Sequence, residues 1–103
     1  MGVLIHPTLE KDTLFVERPN GLKNRLVDDV HYFWLMIIPE ITATELYELD
    51  EDLPALWTMA FHLGGALKTH CNSAKINTAA IGNIVPQLHL YIMARHNDAP
   101  AWP

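Results

Sequence analysis

The chain has 103 residues and a mass of 11.7 kDa, with half its residues apolar and 18% charged, which is the size and make-up of one compact domain, 1–103, around one core. Its formal net charge is −5, and its seven Lys and Arg are scattered from Lys11 to Arg95 without a basic run, so neither nucleic acid nor an anionic membrane surface is expected as a partner. Cys71 is the sole cysteine, which rules out an intrachain disulfide, and it lies in no CxxC or Cys/His cluster, so no metal site is expected.

The amino terminus has no basic segment followed by a long apolar one, and His6 stands where a myristoylation motif requires Ser or Thr. The densest apolar run, Phe33 to Ile38, falls far short of the ~20 residues of a membrane helix. Cytoplasmic residence is the expectation. A domain this small hides only ~60–65% of its unfolded surface, so pairing of two copies would add useful burial, and a homodimer is expected.

Thr13 to Glu17 reads as a short strand, closed by the turn signal Pro19-Asn20-Gly21, and Leu22 to Val27 offers a second strand to complete a hairpin. Phe33 to Ile38 is aromatic and branched, ends at Pro39 and is too short for a core helix, so it reads as a central strand covered on both faces. After Pro39 the pattern turns helical. Thr42-Ala43-Thr44-Glu45 has the form of a capping box and predicts a short helix through about Leu49.

Asp50-Glu51-Asp52 supplies negative charge for the next helix start, where Pro54 is tolerated in the first turn. Leu53, Leu56, Trp57, Ala60, Leu63 and Leu67 recur three or four apart and form the core-facing stripe of a long helix from Asp50 to about His70. Gly64-Gly65 within it suggests a close approach to the sheet or to a second copy. Lys75 to Ala80 predicts another strand, and Gln87 to Arg95 the last. The fold class is therefore α+β, a five-stranded antiparallel sheet with one long helix and one short helix.

The last strand is where chemistry is expected. Alternation places Gln87, His89, Tyr91 and Met93 on one face and Leu88, Leu90, Ile92 and Ala94 on the other. The aliphatic set should face the helix, leaving the imidazole on the opposite, open face between two groups able to hydrogen-bond an anion. A neutral imidazole nitrogen is a competent nucleophile toward phosphorus, and strand neighbours at this spacing can hold the phosphoryl oxygens.

Val85-Pro86-Gln87-Leu88-His89-Leu90-Tyr91-Ile92-Met93-Ala94-Arg95 closely resembles the motif of the histidine triad (HIT) superfamily, in which His, an apolar residue, His, an apolar residue and His precede two apolar residues. The ending Ala99 to Pro103 is similar to a bacterial branch that carries Gln at the first motif position. The likeness runs from about Leu22 to the end and includes Ile38-Pro39, the long acidic-capped helix, Asn77 and Gly82-Asn83. Similar chains of this branch run a few residues further, so the resemblance leads to the expectation of a short tail beyond Pro103.

The resemblance implies a hydrolase or nucleotidyl transferase acting at the α-phosphate of a nucleotide, with an amine, a phosphate or another nucleotide as leaving group, as in phosphoramidates and dinucleoside polyphosphates. It implies a covalent nucleotidyl-histidine on His89, resolved by water, and calls for no cofactor. The Gln87 carbonyl would orient the other nitrogen of the nucleophile. Asn77 and Asn83 match positions that bind the phosphate or leaving group, and Asp28 matches a residue on the ribose hydroxyls. Tyr91 stands where the third histidine belongs, and Glu40-Ile41-Thr42 follows Pro39 where many members have a basic residue and a histidine. Tyr91 donates a hydrogen bond but stays neutral near pH 7. Loss of one pre-organised donor commonly costs ~10²–10³ in turnover, so a catalytically weak or inactive nucleotide-binding module is the alternative. His6, His31, His62 and His70 read as surface residues, and His89 with His96 gives no recognised metal spacing.

Overall fold

The structure is a computed structural model that describes residues 5–11, 13–17, 21–27, 33–98 and Trp102. In chain order the elements are α1 (Pro7–Lys11), β1 (Thr13–Glu17), β2 (Leu22–Val27), β3 (Phe33–Pro39), a 3-10 turn (Leu46–Glu48), α2 (Leu53–Cys71), β4 (Lys75–Ala79) and β5 (Leu90–Arg95). The five strands form one antiparallel sheet in the order β1-β2-β3-β5-β4, so the branched segment Phe33–Pro39 is the central strand.

Alternation along β3 and β5 sorts the core into two layers. Leu35 and Ile37 pair with Ile92 and Leu90, and these side chains pack with Ala94, Leu88 and the α2 stripe of Leu56, Ala60 and Leu67. Each fully buried aliphatic side chain of this layer contributes about 1.5–3 kcal/mol of burial. The stripe read from the sequence is the buried face of α2. Gly64 belongs to it, and a Cβ there would sit 3.5 Å from Ile76 Cγ2, whereas Gly65 faces open space. Pro54 lies in the first turn of α2, and the helix ends at Asn72 in the left-handed conformation.

The opposite face of the sheet is not open. Met36 and Ile38 of β3 form a second buried cluster with Leu9 of α1 and with Val85, and Tyr91 packs at its edge. Five residues are too few to show a helical period, so α1 was not legible as a helix. Leu9 alone supplies its buried contact.

Two further elements differ from expectation. The short helix before α2 is a single 3-10 turn, and its capping box joins Glu45 at the N-cap to Glu48 three residues on, the Glu48 carboxylate accepting the Glu45 N–H and the Glu45 carboxylate accepting the Glu48 N–H. Glu48 Oε1 accepts from the Glu45 N–H at 2.9 Å and from the Thr44 hydroxyl at 2.9 Å, so the box is shifted by three residues from the Thr42–Glu45 placement. No apolar stripe extends this turn, because Asp50 begins the approach to α2. The last strand begins at Leu90, where its pairing with Ile37 of β3 starts, so residues 87–89 precede the strand instead of belonging to it. Among the described residues no helix is long and apolar enough to cross a membrane.

Candidate functional site

The site is built where the chain enters β5. His89 is 4% exposed, in contrast to the open position expected for it, because the loop 80–85 and the segments around Leu9 and Thr44 surround the strand entry. Leu88 N donates to the Ala43 carbonyl at 3.3 Å, which ties the loop after β3 to the motif.

His89 Nδ1 lies 2.6 Å from the Gln87 carbonyl oxygen. A carbonyl only accepts, so Nδ1 carries the proton and donates it, and in the neutral ring Nε2 holds the lone pair. The Tyr91 ring stands edge-on to the imidazole with centroids 5.1 Å apart and planes at 88°. Behind it, Trp34 stacks on Tyr91 at 4.8 Å and 29°. The three rings lie in a row on one face of the sheet, as strand parity requires, since Met36 pairs with Tyr91 and Trp34 with Met93.

His89 lines two adjoining hollows. The larger, about 430 Å³, is bounded by Thr8 and Leu9 of α1, Trp34, Asn83 and Tyr91. The smaller is a cleft of about 10 Å³ between His89, Gly82 and the Thr44-Glu45 segment. Gly82 has a φ of +62° and turns the loop beside the imidazole, a conformation that a side chain would strain. Among the described residues that bound either hollow there is no Lys or Arg.

The residues expected from the sequence are only partly brought together. His89, Tyr91 and Asn83 share the larger hollow. Gln87 contributes its carbonyl to His89, while its side-chain Oε1 accepts the His6 N–H at 2.7 Å. Asn77 bounds neither hollow: it pairs with Met93, with Ala79 taking the place opposite Tyr91, and its Oδ1 accepts from Arg95 Nη1 at 2.8 Å. Asp28 lies outside the described residues, as does His31. Of the other histidines, His62 and His70 are exposed, and His96 Nε2 donates to the Cys71 carbonyl at 3.0 Å at the end of α2. No group of three or more His, Cys, Asp or Glu among the described residues is placed to hold a metal ion.

The sequence reasoning missed Trp34, Thr8, Leu9 and Thr44 as cavity residues. Trp34 had a usable signal, because it shares strand parity with Met36, the partner of Tyr91. Thr8 and Leu9 had none, since their place depends on where a five-residue helix docks.

The HIT domain family matches residues 11–98. Among solved structures, a histidine triad protein from Bradyrhizobium japonicum is 35% identical with a TM-score of 0.95, the match covering 100% of this chain and 78% of that one. A histidine triad (HIT) protein from Sinorhizobium meliloti is 31% identical, with a TM-score of 0.94 over 98% of this chain and 76% of that one. One from Marinobacter aquaeolei is 30% identical, with a TM-score of 0.95 over 100% and 77%. No curated protein matches. With a family match across most of its length and relatives of this identity superposing over nearly all of it, the chain belongs to the HIT domain family.

Proposed function

We propose that this protein binds a nucleotide in the hollow beside His89 and transfers its nucleotidyl group from the α-phosphate to water or another acceptor through a nucleotidyl-histidine. The observation that carries this reading is the 2.6 Å contact of His89 Nδ1 with the Gln87 carbonyl, which leaves Nε2 as the nucleophilic atom. In the first step Nε2 forms a bond to the α-phosphorus as the bond to the leaving group breaks. The leaving group takes the electron pair and a proton from solvent. The ring becomes cationic in this step, and the Gln87 carbonyl stabilises it through the Nδ1–H. In the second step water forms a P–O bond and gives up a proton to solvent, the P–N bond to His89 breaks with its electron pair returning to Nε2, and the neutral ring returns.

Asn83 and Tyr91 bound the same hollow and are the proposed phosphate contacts, with Asp28 proposed for the ribose. Asn77 is a weaker member of this set, being occupied by Arg95. Amine-linked and phosphate-linked nucleotides, that is phosphoramidates and dinucleoside polyphosphates, are the proposed substrate classes, and no cofactor enters the scheme. Incubation with an adenylyl amide and with a dinucleoside polyphosphate tests it. AMP release above that of His89→Ala is the expected result, and none above it would sink the enzyme reading.

The second reading, a nucleotide-binding module with weak or no catalysis, draws on one specific observation. The hollow has no Lys or Arg among its described residues, and the third motif position is a neutral phenol, so charge developing on the phosphoryl oxygens meets little compensation. Stabilisation by AMP without hydrolysis would favour it. A ligand at 100 times its Kd adds ~2.7 kcal/mol to stability, a readily measured shift in Tm.

A homodimer belongs to the same proposal. Phe61 of α2 is 72% exposed, next to open space at Gly65 and to the unpaired edge of β4. Pairing two copies through α2 and β4 would cover all three. Light scattering of the protein at micromolar concentration should give twice the 11.7 kDa chain mass, and a monomer mass would contradict it.

A further inference from the structure

Two contacts of Gln87 go to different partners. Its carbonyl accepts from His89, and its side-chain Oε1 accepts the amide N–H of His6, 81 positions away, at 2.7 Å. That amide opens the N-terminal segment. His6 Nδ1 accepts from Thr8 N–H at 3.1 Å, and the His6 carbonyl accepts from Glu10 N–H at 3.1 Å as the first bond of α1. The far end is held separately. The Thr13 hydroxyl donates to the Leu9 carbonyl at 2.6 Å, and the buried Arg25 donates to the Thr13 hydroxyl, to the Thr13 carbonyl at 3.1 Å and to the Glu10 carbonyl at 3.4 Å.

A helix of five residues has no stability of its own in water, so its position is set by these anchors and by burial of Leu9. Its Thr8 and Leu9 form one wall of the 430 Å³ hollow that His89 lines. We infer that Gln87 is a positioning residue whose side chain latches the N-terminal helix to the motif, fixing the Thr8–Leu9 wall, while its carbonyl fixes the His89 ring. The side chain at the first motif position thus acts on the shape of the hollow and not on a phosphate. What the contact with His6 requires is a hydrogen-bond acceptor at the reach of a Gln side chain. Glu supplies one, and Met, of similar length, supplies none that competes with a carbonyl oxygen. The inference rests on the nucleotide reading only for what the wall faces.

The test is residue-resolved amide exchange by NMR on the full chain, comparing the parent protein with Gln87→Met and Gln87→Glu, together with AMP titrations of the parent and Gln87→Met. In Gln87→Met the His6 and Glu10 amides should exchange roughly fivefold to tenfold faster, the change expected for loss of one hydrogen bond. Gln87→Glu should restore them, Ile92 and Ala94 in β5 should keep their protection in both variants, and the Kd for AMP should rise severalfold in Gln87→Met. Unchanged His6 exchange in Gln87→Met, failure of Gln87→Glu to restore it, or an equal rise in β5 would overturn the latch. Equal AMP affinity with altered exchange would overturn the role of the wall. If the parent protein binds no AMP, the nucleotide reading falls, and the amide data still decide the latch.

Discussion

The imidazole of His89 is held by the backbone of Gln87, two residues before it, through a 2.6 Å contact between Nδ1 and the carbonyl oxygen. The ring tautomer therefore depends on main chain and survives any side chain at position 87. His89 is also 4% exposed, so the ring cannot swing out to solvent without disturbing the entry to β5. Replacement by Ala should abolish nucleotidyl transfer while leaving the sheet intact. Mass spectrometry of the protein mixed with an adenylyl amide should show an added AMP mass that is absent from His89→Ala, and an adduct of equal yield in both would move the chemistry to another residue.

The layer between α2 and the sheet responds differently to loss and to gain of volume. Leu56 is fully buried between α2 and the sheet, so Leu56→Ala should cost ~2–5 kcal/mol and lower Tm by roughly 10–30 °C. Gly64→Ala on the same face should be close to neutral or stabilising. The added methyl meets Ile76 Cγ2 at 3.5 Å and Ile92 Cγ2 at 3.9 Å, ordinary contact distances, and Ala is ~1 kcal/mol better than Gly inside a helix. Thermal melts of the two variants check both signs, and a large loss in Gly64→Ala would show the layer to be tighter than these distances allow.

Glu48 links pH to the segment beside His89. Its carboxyl is held below the ordinary carboxylate value of 4.5, first by the hydrogen bond from the Thr44 hydroxyl and then by the Thr44 and Glu45 amides. A group with a lowered folded pKa stabilises the fold above its unfolded value and loses that effect as pH falls through the folded one. The Thr44 and Glu45 amides should therefore lose protection as pH falls below the ordinary carboxylate range, while α2 stays protected, because no residue of this turn is fully buried and its contact with the core is the partly buried Leu46. Amide exchange at low pH measures this. Glu48→Gln should remove most of the dependence, and an unchanged profile in that variant would assign it to another carboxylate.

The five strands along the chain and the α2 stripe were legible because both rest on local patterns of apolar residues. The face assignment of Leu88, Leu90, Ile92 and Ala94 follows from alternation alone, and all four are buried against α2 or its layer. The capping box was misplaced because its N-cap is Glu45 and not a Ser or Thr, so Thr42–Glu45 fitted the usual pattern while the bonds form three residues later between Glu45 and Glu48. Burial of His89 and the wall formed by Thr8 and Leu9 were not legible. They depend on a segment from the other end of the chain, fastened by Gln87 and Arg25, and no spacing in the sequence encodes that contact.

Tyr91 is the residue on which the enzyme and the binding-module readings part. Its ring is half-buried between Trp34 and the edge of His89, so its place in the row is fixed by packing as well as by strand parity. If the phenol serves as the donor to a phosphoryl oxygen, Tyr91→Phe should lower turnover by ~10²-fold, the usual consequence of losing one pre-organised donor. Tyr91→His places a group able to carry positive charge near pH 7 at the same point of the strand, and turnover should rise. The smaller ring loses part of the stack on Trp34, so a modest fall in Tm is expected in the same variant. Steady-state rates of AMP release for the three proteins, with the melts run alongside, separate the effects. A gain in Tyr91→His would mean that His89, Gln87 and Asn83 remain correctly arranged around the phosphorus. No gain, with AMP still bound, would identify a binding module, and equal rates in all three proteins would remove this side chain from the mechanism.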